Sequence, residues 1–237
     1  MQLLNFKKPV NLNDYTLIIP SVSVGNVPQL TIDLLITTLN LENVATIWHP
    51  GLRASVGADP FHSNEKTICT ASELYISEAN KLAVIQIRST IETKFVLKFL
   101  TDLLSSVKQL GFKRLFVLGT GFDYELHNIA DRNMFYFITN KENLDQIQST
   151  KRLEPNSNGK FVVHGAGYAT TLYGLIGNQI ESVLLVKYVS EGENIIDAKH
   201  FLGKLLEFLK LETTHKQLAY PASWHYVYGA PPPSGIF

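Results

Sequence analysis

Short apolar runs of strand length alternate along the chain with segments whose apolar residues repeat at the spacing of a helix. The clearest runs cover residues 15–20, 81–88, 114–118 and 182–188. Between or after them, residues 27–40, 93–110 and 194–211 carry stripes of Leu, Phe, Val and Ile at intervals of three and four. Such alternation predicts strands that run parallel, each followed by a helix that packs on the sheet.

The predicted fold is therefore α/β: a single three-layer domain with a mainly parallel sheet. Its hydrophobic fraction of 45% is enough for a sizeable core. No linker-like stretch divides residues 1–211, which we assign to this domain, and residues 212–237 are assigned to a C-terminal tail. Residues 73–77 and 81–88 predict a hairpin, 161–163 a short strand and 170–176 a short helix.

Two asparagines, Asn26 and Asn194, precede predicted helices and are expected to cap them. Asp197 then falls in the first turn of its helix, where a carboxylate favours the helix dipole. A loop-rich, exposed insertion is expected over residues 140–159, which are polar and contain Pro155.

Charge and cysteine content exclude several classes of protein. The 21 basic and 21 acidic residues balance, so no cationic excess indicates a nucleic-acid partner. One cysteine, Cys69, cannot form an internal disulfide. No apolar run reaches the ~18 residues of a membrane span, and the N-terminus has no secretory pattern. We expect a protein of the cytoplasm and nucleus without a membrane partner.

Two glycine-rich segments resemble parts of catalytic or ligand-binding motifs, but neither motif is complete. Gly119-Thr120-Gly121 follows a predicted strand but lacks the third glycine of a dinucleotide fingerprint, so a tight turn is expected. His164-Gly165-Ala166-Gly167 resembles an oxyanion loop, yet the chain has no Gly-x-Ser-x-Gly elbow. Glycines that permit close backbone packing are the simpler interpretation.

The remaining side chains offer no catalytic or metal-binding set. None of the seven histidines belongs to a His-Glu-x-x-His arrangement, and one cysteine rules out a cysteine-rich zinc site. Cys69 has no local signature of a nucleophile and is expected to be a buried or half-buried thiol. The sequence predicts no cofactor.

The C-terminus combines aromatic residues, a proline spacer and an apolar end. Trp224, Tyr226 and Tyr228 alternate at strand spacing, which predicts three rings on one face of a strand docked on the domain. Pro231-Pro232-Pro233 is a stiff spacer before Gly235-Ile236-Phe237. Such an end suits either a pocket on another molecule, with a cation for the carboxylate, or docking on its own domain.

Two long segments identify a family resemblance. Ile18-Ile19-Pro20-Ser21-Val22-Ser23-Val24-Gly25-Asn26-Val27, continuing to Gln29-Leu30 and Asp33-Leu34, resembles the opening of the proteasome assembly chaperone family. Leu184 to Ile195, followed by Asp197-Ala198, is similar to the family's second signature. Residues 82–89, 171–173 and 221–232 fall in the same order as in that family, so the resemblance spans nearly the whole chain.

The resemblance implies a non-enzymatic chaperone with a fold similar to that of nucleoside phosphorylases. Members pair with proteasome assembly chaperone 1 as a heterodimer and cap the outer face of the forming α-subunit ring of the proteasome core particle. They promote ring assembly, block off-pathway ring dimers and premature activator docking, and act in the cytosol and nucleus. Exposed apolar residues of helix 27–40 are one candidate for the heterodimer surface.

The resemblance also gives the tail a role, because related proteins insert C-termini with a hydrophobic-Tyr-any pattern between α subunits. That pattern falls here on Gly235, Ile236 and Phe237, where glycine replaces the hydrophobic residue and Ile236 the tyrosine. The alternative function is a nucleoside phosphorylase-like enzyme with Gly119-Thr120-Gly121 as its anion loop, although the arginine and acid set expected around such a loop is missing.

Overall fold

Four runs of leucine and β-branched residues form the centre of one large sheet. The computed structural model describes residues 3–62, 67–141, 147–211 and 218–226. Its strands are β1 (Leu4–Phe6), β2 (Thr16–Pro20), β3 (Glu42–Ile47), β4 (Val56–Ala58), β5 (Ile68–Thr70), β6 (Ser72–Ser77), β7 (Leu82–Ile87), β8 (Arg114–Phe122), β9 (Phe135–Thr139), β10 (Thr150–Arg152) and β11 (Glu181–Val189). Its α-helices are α1 (Val27–Leu39), α2 (Val96–Gln109), α3 (Ala169–Ile176) and α4 (Ile195–Leu209).

Nine strands form the main sheet in the order β1-β3-β6-β7-β2-β8-β11-β9-β10. The central four, β7-β2-β8-β11, are mutually parallel. Antiparallel pairing extends the sheet on both sides, through the predicted β6–β7 hairpin on one side and β9 on the other. The predicted α/β domain is confirmed, with its parallel strands at the buried centre, where helices cover both faces.

Side chains of the central strands alternate between two cores. In β8, Leu115 and Val117 point to the face covered by α2 and α3. Phe116 and Leu118 point to the face covered by α1 and α4. Because both faces are covered, these four residues are wholly buried, which explains why the run is continuously apolar rather than alternating.

Helix α1 is mostly buried, and its remaining residues are half-buried. Its residues Ile32, Leu34 and Leu35 are fully buried against α4 and the sheet, and none of its residues is exposed. The expectation that exposed apolar residues of this helix form a heterodimer surface is therefore wrong. The apolar stripe is wide because the helix packs against two elements at once.

Some local predictions differ from the structure. Strand β8 continues through Phe122 rather than ending at Leu118, because β11 pairs with it along that length. Residues 161–163 form no strand. Asn26 and Asn194 occupy N-cap positions, but neither side chain accepts a capping hydrogen bond. The Asn194 amide instead donates to the carbonyl of Gly192, which holds the turn before α4.

The insertion predicted over residues 140–159 is polar and largely exposed where the structure describes it, although it contributes the edge strand β10. Among the described helices, none has the length and apolar character needed to cross a membrane.

Candidate functional site

The carboxyl ends of β2, β8 and β11 bring the two family-like segments together. The loop after β2 carries Ser21 and Ser23, and the loop after β11 leads to Asn194. This edge is where open α/β sheets place their ligands. A ligand could bind here only if the polar groups of this edge were free.

Ser21 is fully buried and joins the loop after β2 to the loop before α3. Its hydroxyl donates to the carbonyl of Ala166 at 2.7 Å and accepts from the N–H of Tyr168 at 2.9 Å. The Tyr168 hydroxyl in turn donates to the carbonyl of Pro20 at 2.7 Å. Burial raises the pKa of Tyr168, so its proton stays in place for this bond. These hydroxyls hold two loops together and none is left to face a ligand.

Thr120 connects strand β8 to the loop after β2 in the same way. Its hydroxyl donates to the carbonyl of Val24 at 2.6 Å and lies 2.8 Å from the Ser23 hydroxyl oxygen. The Ser23 hydroxyl also lies 3.3 Å from the carbonyl oxygen of Ser21, to which it can donate. Ser23 also accepts from the Thr120 N–H at 3.2 Å. The middle residue of Gly119-Thr120-Gly121 thus fixes the loop after β2.

The glycines at this edge permit close packing. Gly119 lies inside β8, opposite Val186 of β11, so the predicted tight turn is wrong. A Cβ on Gly119 would lie 2.9 Å from the Ala169 Cβ. Gly167 has φ +59°, and a Cβ there would lie 2.0 Å from the Val22 carbonyl oxygen. The expectation of packing glycines in residues 164–167 is confirmed.

The basic groups at this edge are occupied by protein partners. Lys187 is buried; its ammonium lies 3.1 Å from Asp197 and donates to the carbonyl of Arg132 at 2.9 Å. Arg132 lies 3.4 Å from Asp123 and also bonds the Ser190 hydroxyl. Asp197, expected only to favour the helix dipole, therefore also neutralises a buried lysine. An anion entering here would have to displace a carboxylate first.

A buried polar network that the sequence did not predict links α1 to β7. Asp33 accepts from Gln86 at 2.6 Å and from Arg88 at 2.7 and 3.1 Å. Burial alone would lower the pKa of Arg88, but the Asp33 carboxylate outweighs it and the pKa is raised. The available signal was Asp33 itself, a lone carboxylate within an apolar helical stripe.

Exposed apolar side chains flank the end of β8. Tyr124, Ile129 and Val162 are 75%, 71% and 49% exposed, and the Tyr124 ring stacks on Phe122 at 5.0 Å. We call Tyr124, Ile129 and Val162 the apolar rim. Residues 123–125 contact residues 129–133, and exposed apolar side chains that lie close together can mark a protein contact surface.

The other candidate side chains do not assemble a reactive site. The described residues contain no group of three His, Cys, Asp or Glu able to hold a metal ion. His49, His62 and His164 lie against Asp102, Asp59 and Glu125, respectively. Cys69 is half-buried as predicted, and burial raises the pKa of its thiol, which disfavours the reactive thiolate.

The predicted binding residues Gly235, Ile236 and Phe237 lie outside the described residues, as does Tyr228. Residues Ala222–Tyr226 form a 3-10 helix, so the predicted strand is wrong over this stretch. The predicted docking on the domain is confirmed for Trp224, which packs against the core between the sheet and helices α1 and α4.

Comparison with known proteins gives one family. The PAC2 family model matches residues 17–219. Proteasome assembly chaperone 2 of Xenopus laevis is 31% identical over 245 residues, covering 94% of each chain. The Homo sapiens protein of that name is 30% identical over 255 residues, covering 96% of each chain.

Solved structures share the fold at lower identity. Pyrococcus furiosus PbaA, an archaeal homolog of proteasome-assembly chaperone, superposes with a TM-score of 0.67 at 12% identity, covering 89% of this chain and 87% of its own. P. furiosus PbaB, an archaeal proteasome activator, gives 0.64 at 16% identity, covering 88% and 89%. The family match over most of the sequence, together with relatives of 30% identity at full length, shows that the chain belongs to the PAC2 family.

Proposed function

We propose that this protein is a proteasome assembly chaperone that works as a heterodimer with proteasome assembly chaperone 1. The pair binds the forming α-subunit ring of the core particle, promotes its assembly and blocks off-pathway ring dimers. The observation that carries the proposal is the full-length similarity to proteins named proteasome assembly chaperone 2. Its site of action is the cytoplasm and nucleus.

The polar groups at the carboxyl ends of β2, β8 and β11 are engaged within the protein, which favours a binding role over an enzymatic one. Ser21, Ser23 and Thr120 direct their hydroxyls to neighbouring backbone or to each other, and Lys187 is held by Asp197. A nucleoside phosphorylase-like enzyme would need groups here that can reach phosphate and a sugar. We therefore propose no reaction, and a phosphorolysis assay on common nucleosides is expected to show no turnover.

The apolar rim is the proposed contact surface for the partner chaperone. Tyr124 and Ile129 each expose more than two thirds of their area, and both lie in sequence between Asp123 and Arg132, which form an ion pair. An apolar centre with polar groups at its margin is the usual composition of a protein interface. The N–H of Val24 donates to the carbonyl of Gly165 at 2.9 Å and the N–H of Phe122 to the carbonyl of His164 at 3.3 Å, so the end of β8 lies beside the first family-like segment.

The C-terminal residues are proposed to insert between α subunits. The terminal carboxylate would contribute about 1.5–3 kcal/mol through a charge-assisted contact with a lysine. Burial of Phe237 would add about 1.5–3 kcal/mol. Without a tyrosine at position 236, the tail assists binding and the partner's tail supplies the stronger anchor.

The test is affinity capture of the tagged full chain from cell extract, followed by mass spectrometry. We expect a homologous assembly chaperone and α subunits, with few mature β subunits. A matched chain that ends at Gly235 should recover the same chaperone and less α subunit. Capture of a folded bait without any α subunit would contradict the assembly role, and equal α-subunit recovery by both baits would contradict tail insertion.

A further inference from the structure

Residues 218–226, which we call the C-terminal strap, lie across both helices of one face. Near the end of α1, Thr38 accepts from the N–H of Ala219 at 3.2 Å and lies 3.4 Å from its carbonyl oxygen, to which it donates. On α4, the ammonium of Lys199 lies 4.9 Å from the centre of the Tyr220 ring. The strap therefore bridges two helices that also pack on each other.

The end of the strap is fixed at a third point. The N–H of Ser223 donates to the carbonyl of Pro60 at 3.0 Å, and Pro221 is buried. Trp224 packs against the same core as α1 and α4, and its ring lies 6.2 Å from that of Tyr220. Three separate elements thus hold a segment whose own secondary structure is a five-residue 3-10 helix.

This attachment sets the length of chain between the domain and its C-terminus. Residues 227–237 can span at most about 40 Å, whatever conformation they adopt. If the strap were released, residues 212–237 would separate the end of the chain from Leu211. Release would lengthen the connection by 15 residues and so lower the local concentration of the last residues at their binding site.

We propose that the strap positions the C-terminal Gly235-Ile236-Phe237 for insertion, with Trp224 as its main positioning residue. This inference rests on the tail insertion in the proposed function. The strap makes no contact with the α ring in this role; it shortens the tether and determines where on the domain the tether begins. Its contribution is therefore expected only when the last two residues are present.

The experiment measures affinity for α rings in four full-chain variants, each paired with its partner chaperone. These are the unchanged protein, Trp224→Ala, deletion of Ile236 and Phe237, and both changes together. We expect Trp224→Ala to weaken binding severalfold in the intact chain and to have no effect in the deleted chain. Trp224→Phe should retain most of the affinity, and Leu97→Ala, an exposed change on α2, should retain all of it.

Hydrogen exchange supplies a readout that does not depend on the α ring. The amides of Ala219 and Ser223 should be protected in the unchanged protein and exposed in Trp224→Ala, with the core amides of β8 unaffected. Thr38→Val, which removes the hydroxyl and nearly keeps the shape, should give a smaller loss of the same kind. It serves as the second variant if Trp224→Ala lowers the melting temperature of the whole domain.

The possible failures are distinguishable. Equal weakening by Trp224→Ala in intact and deleted chains, or no weakening while the deletion itself weakens binding, overturns the positioning role and leaves tail insertion standing. If the deletion leaves affinity unchanged, tail insertion fails and the positioning role fails with it. Unprotected Ala219 and Ser223 amides in the unchanged protein would overturn the attachment itself.

Discussion

The Arg88 guanidinium donates to both oxygens of the Asp33 carboxylate, at 2.7 and 3.1 Å, and so fastens helix α1 to the end of strand β7. Gln86 donates to the same carboxylate and also to the backbone carbonyl of Gln29. Asp33 is buried and Arg88 is mostly covered, so each charge depends on the other for compensation.

Replacing Asp33 with Asn should lower the free energy of unfolding by about 3 kcal/mol, because the Arg88 charge is then left buried without a counter-charge. Glu92→Gln is the matched control, since its partner Lys94 is well exposed, and should change stability by less than about 1 kcal/mol. Chemical denaturation at neutral pH measures both. If both variants lowered the free energy of unfolding by the same small amount, burial would not determine the contribution of the Asp33–Arg88 pair.

Replacing each of two glycines near α3 by alanine should change the free energy of unfolding in opposite directions. Gly167→Ala places a Cβ against the Val22 carbonyl at positive φ and should cost about 3 kcal/mol or more. Gly174→Ala enters open space on the exposed face of α3 and should add up to about 1 kcal/mol. Thermal unfolding of both proteins checks the contrast. A tolerated Gly167→Ala would contradict the close approach of the two loops.

Glu181 should give a pH-dependent contribution to stability. Burial acts to raise the pKa of Glu181, but Lys141 and Arg114, each 2.7 Å away, outweigh it and lower the pKa below 4.5. A lowered carboxyl pKa stabilises the fold above the unfolded-state value and loses that effect as pH falls through the folded-state value. Glu181→Gln should therefore cost about 1 kcal/mol at pH 7.

The same comparison repeated below pH 4.5 should show the difference between Glu181→Gln and the unchanged protein shrinking toward zero. Denaturation at several pH values from 7 to 3 makes this measurement. A stability difference that stays constant across that range would show that the variant acts through packing rather than through charge.

Changes in the apolar rim should affect association rather than folding. Tyr124→Ala combined with Ile129→Ser should reduce recovery of the partner chaperone at least tenfold, because these side chains are mostly exposed in the isolated chain. The melting temperature of the free protein should change by only a few degrees. Val56→Ser, equally exposed on the β4–β5 hairpin, is the control and should leave recovery unchanged. If Val56→Ser reduced recovery of the partner chaperone as much as the double variant does, the apolar rim would not be a specific contact surface.

Several parts of the fold were predictable because their signals are local. The apolar runs of β2, β8 and β11 and the stripes of α2 and α4 identify strands and helices before any contact is known. The absence of a phosphate loop or nucleophile elbow was equally readable in the sequence. Helix caps were less predictable. The Asn194 side chain donates to the carbonyl of Gly192, two residues earlier, and accepts no hydrogen bond from the first turn of α4.

The candidate site was only partly predictable, because residue type does not reveal which partner a side chain finds. Ser21, Thr120 and Lys187 would suit ligand binding if they were free. In the folded chain their partners are Ala166, Val24 and Asp197, and the first two lie 145 and 96 residues away in sequence.

The sequence by itself determined the alternation of strands and helices, the two faces of the central sheet and the missing catalytic motifs, since all three depend on residue type and short-range spacing. The tertiary structure decided that Gly119 lies within a strand, that α1 is covered, that Asp33 meets Arg88 and that the apolar rim is exposed. Each of these depends on which distant segments become neighbours, and that follows from packing the whole sheet and its four helices at once.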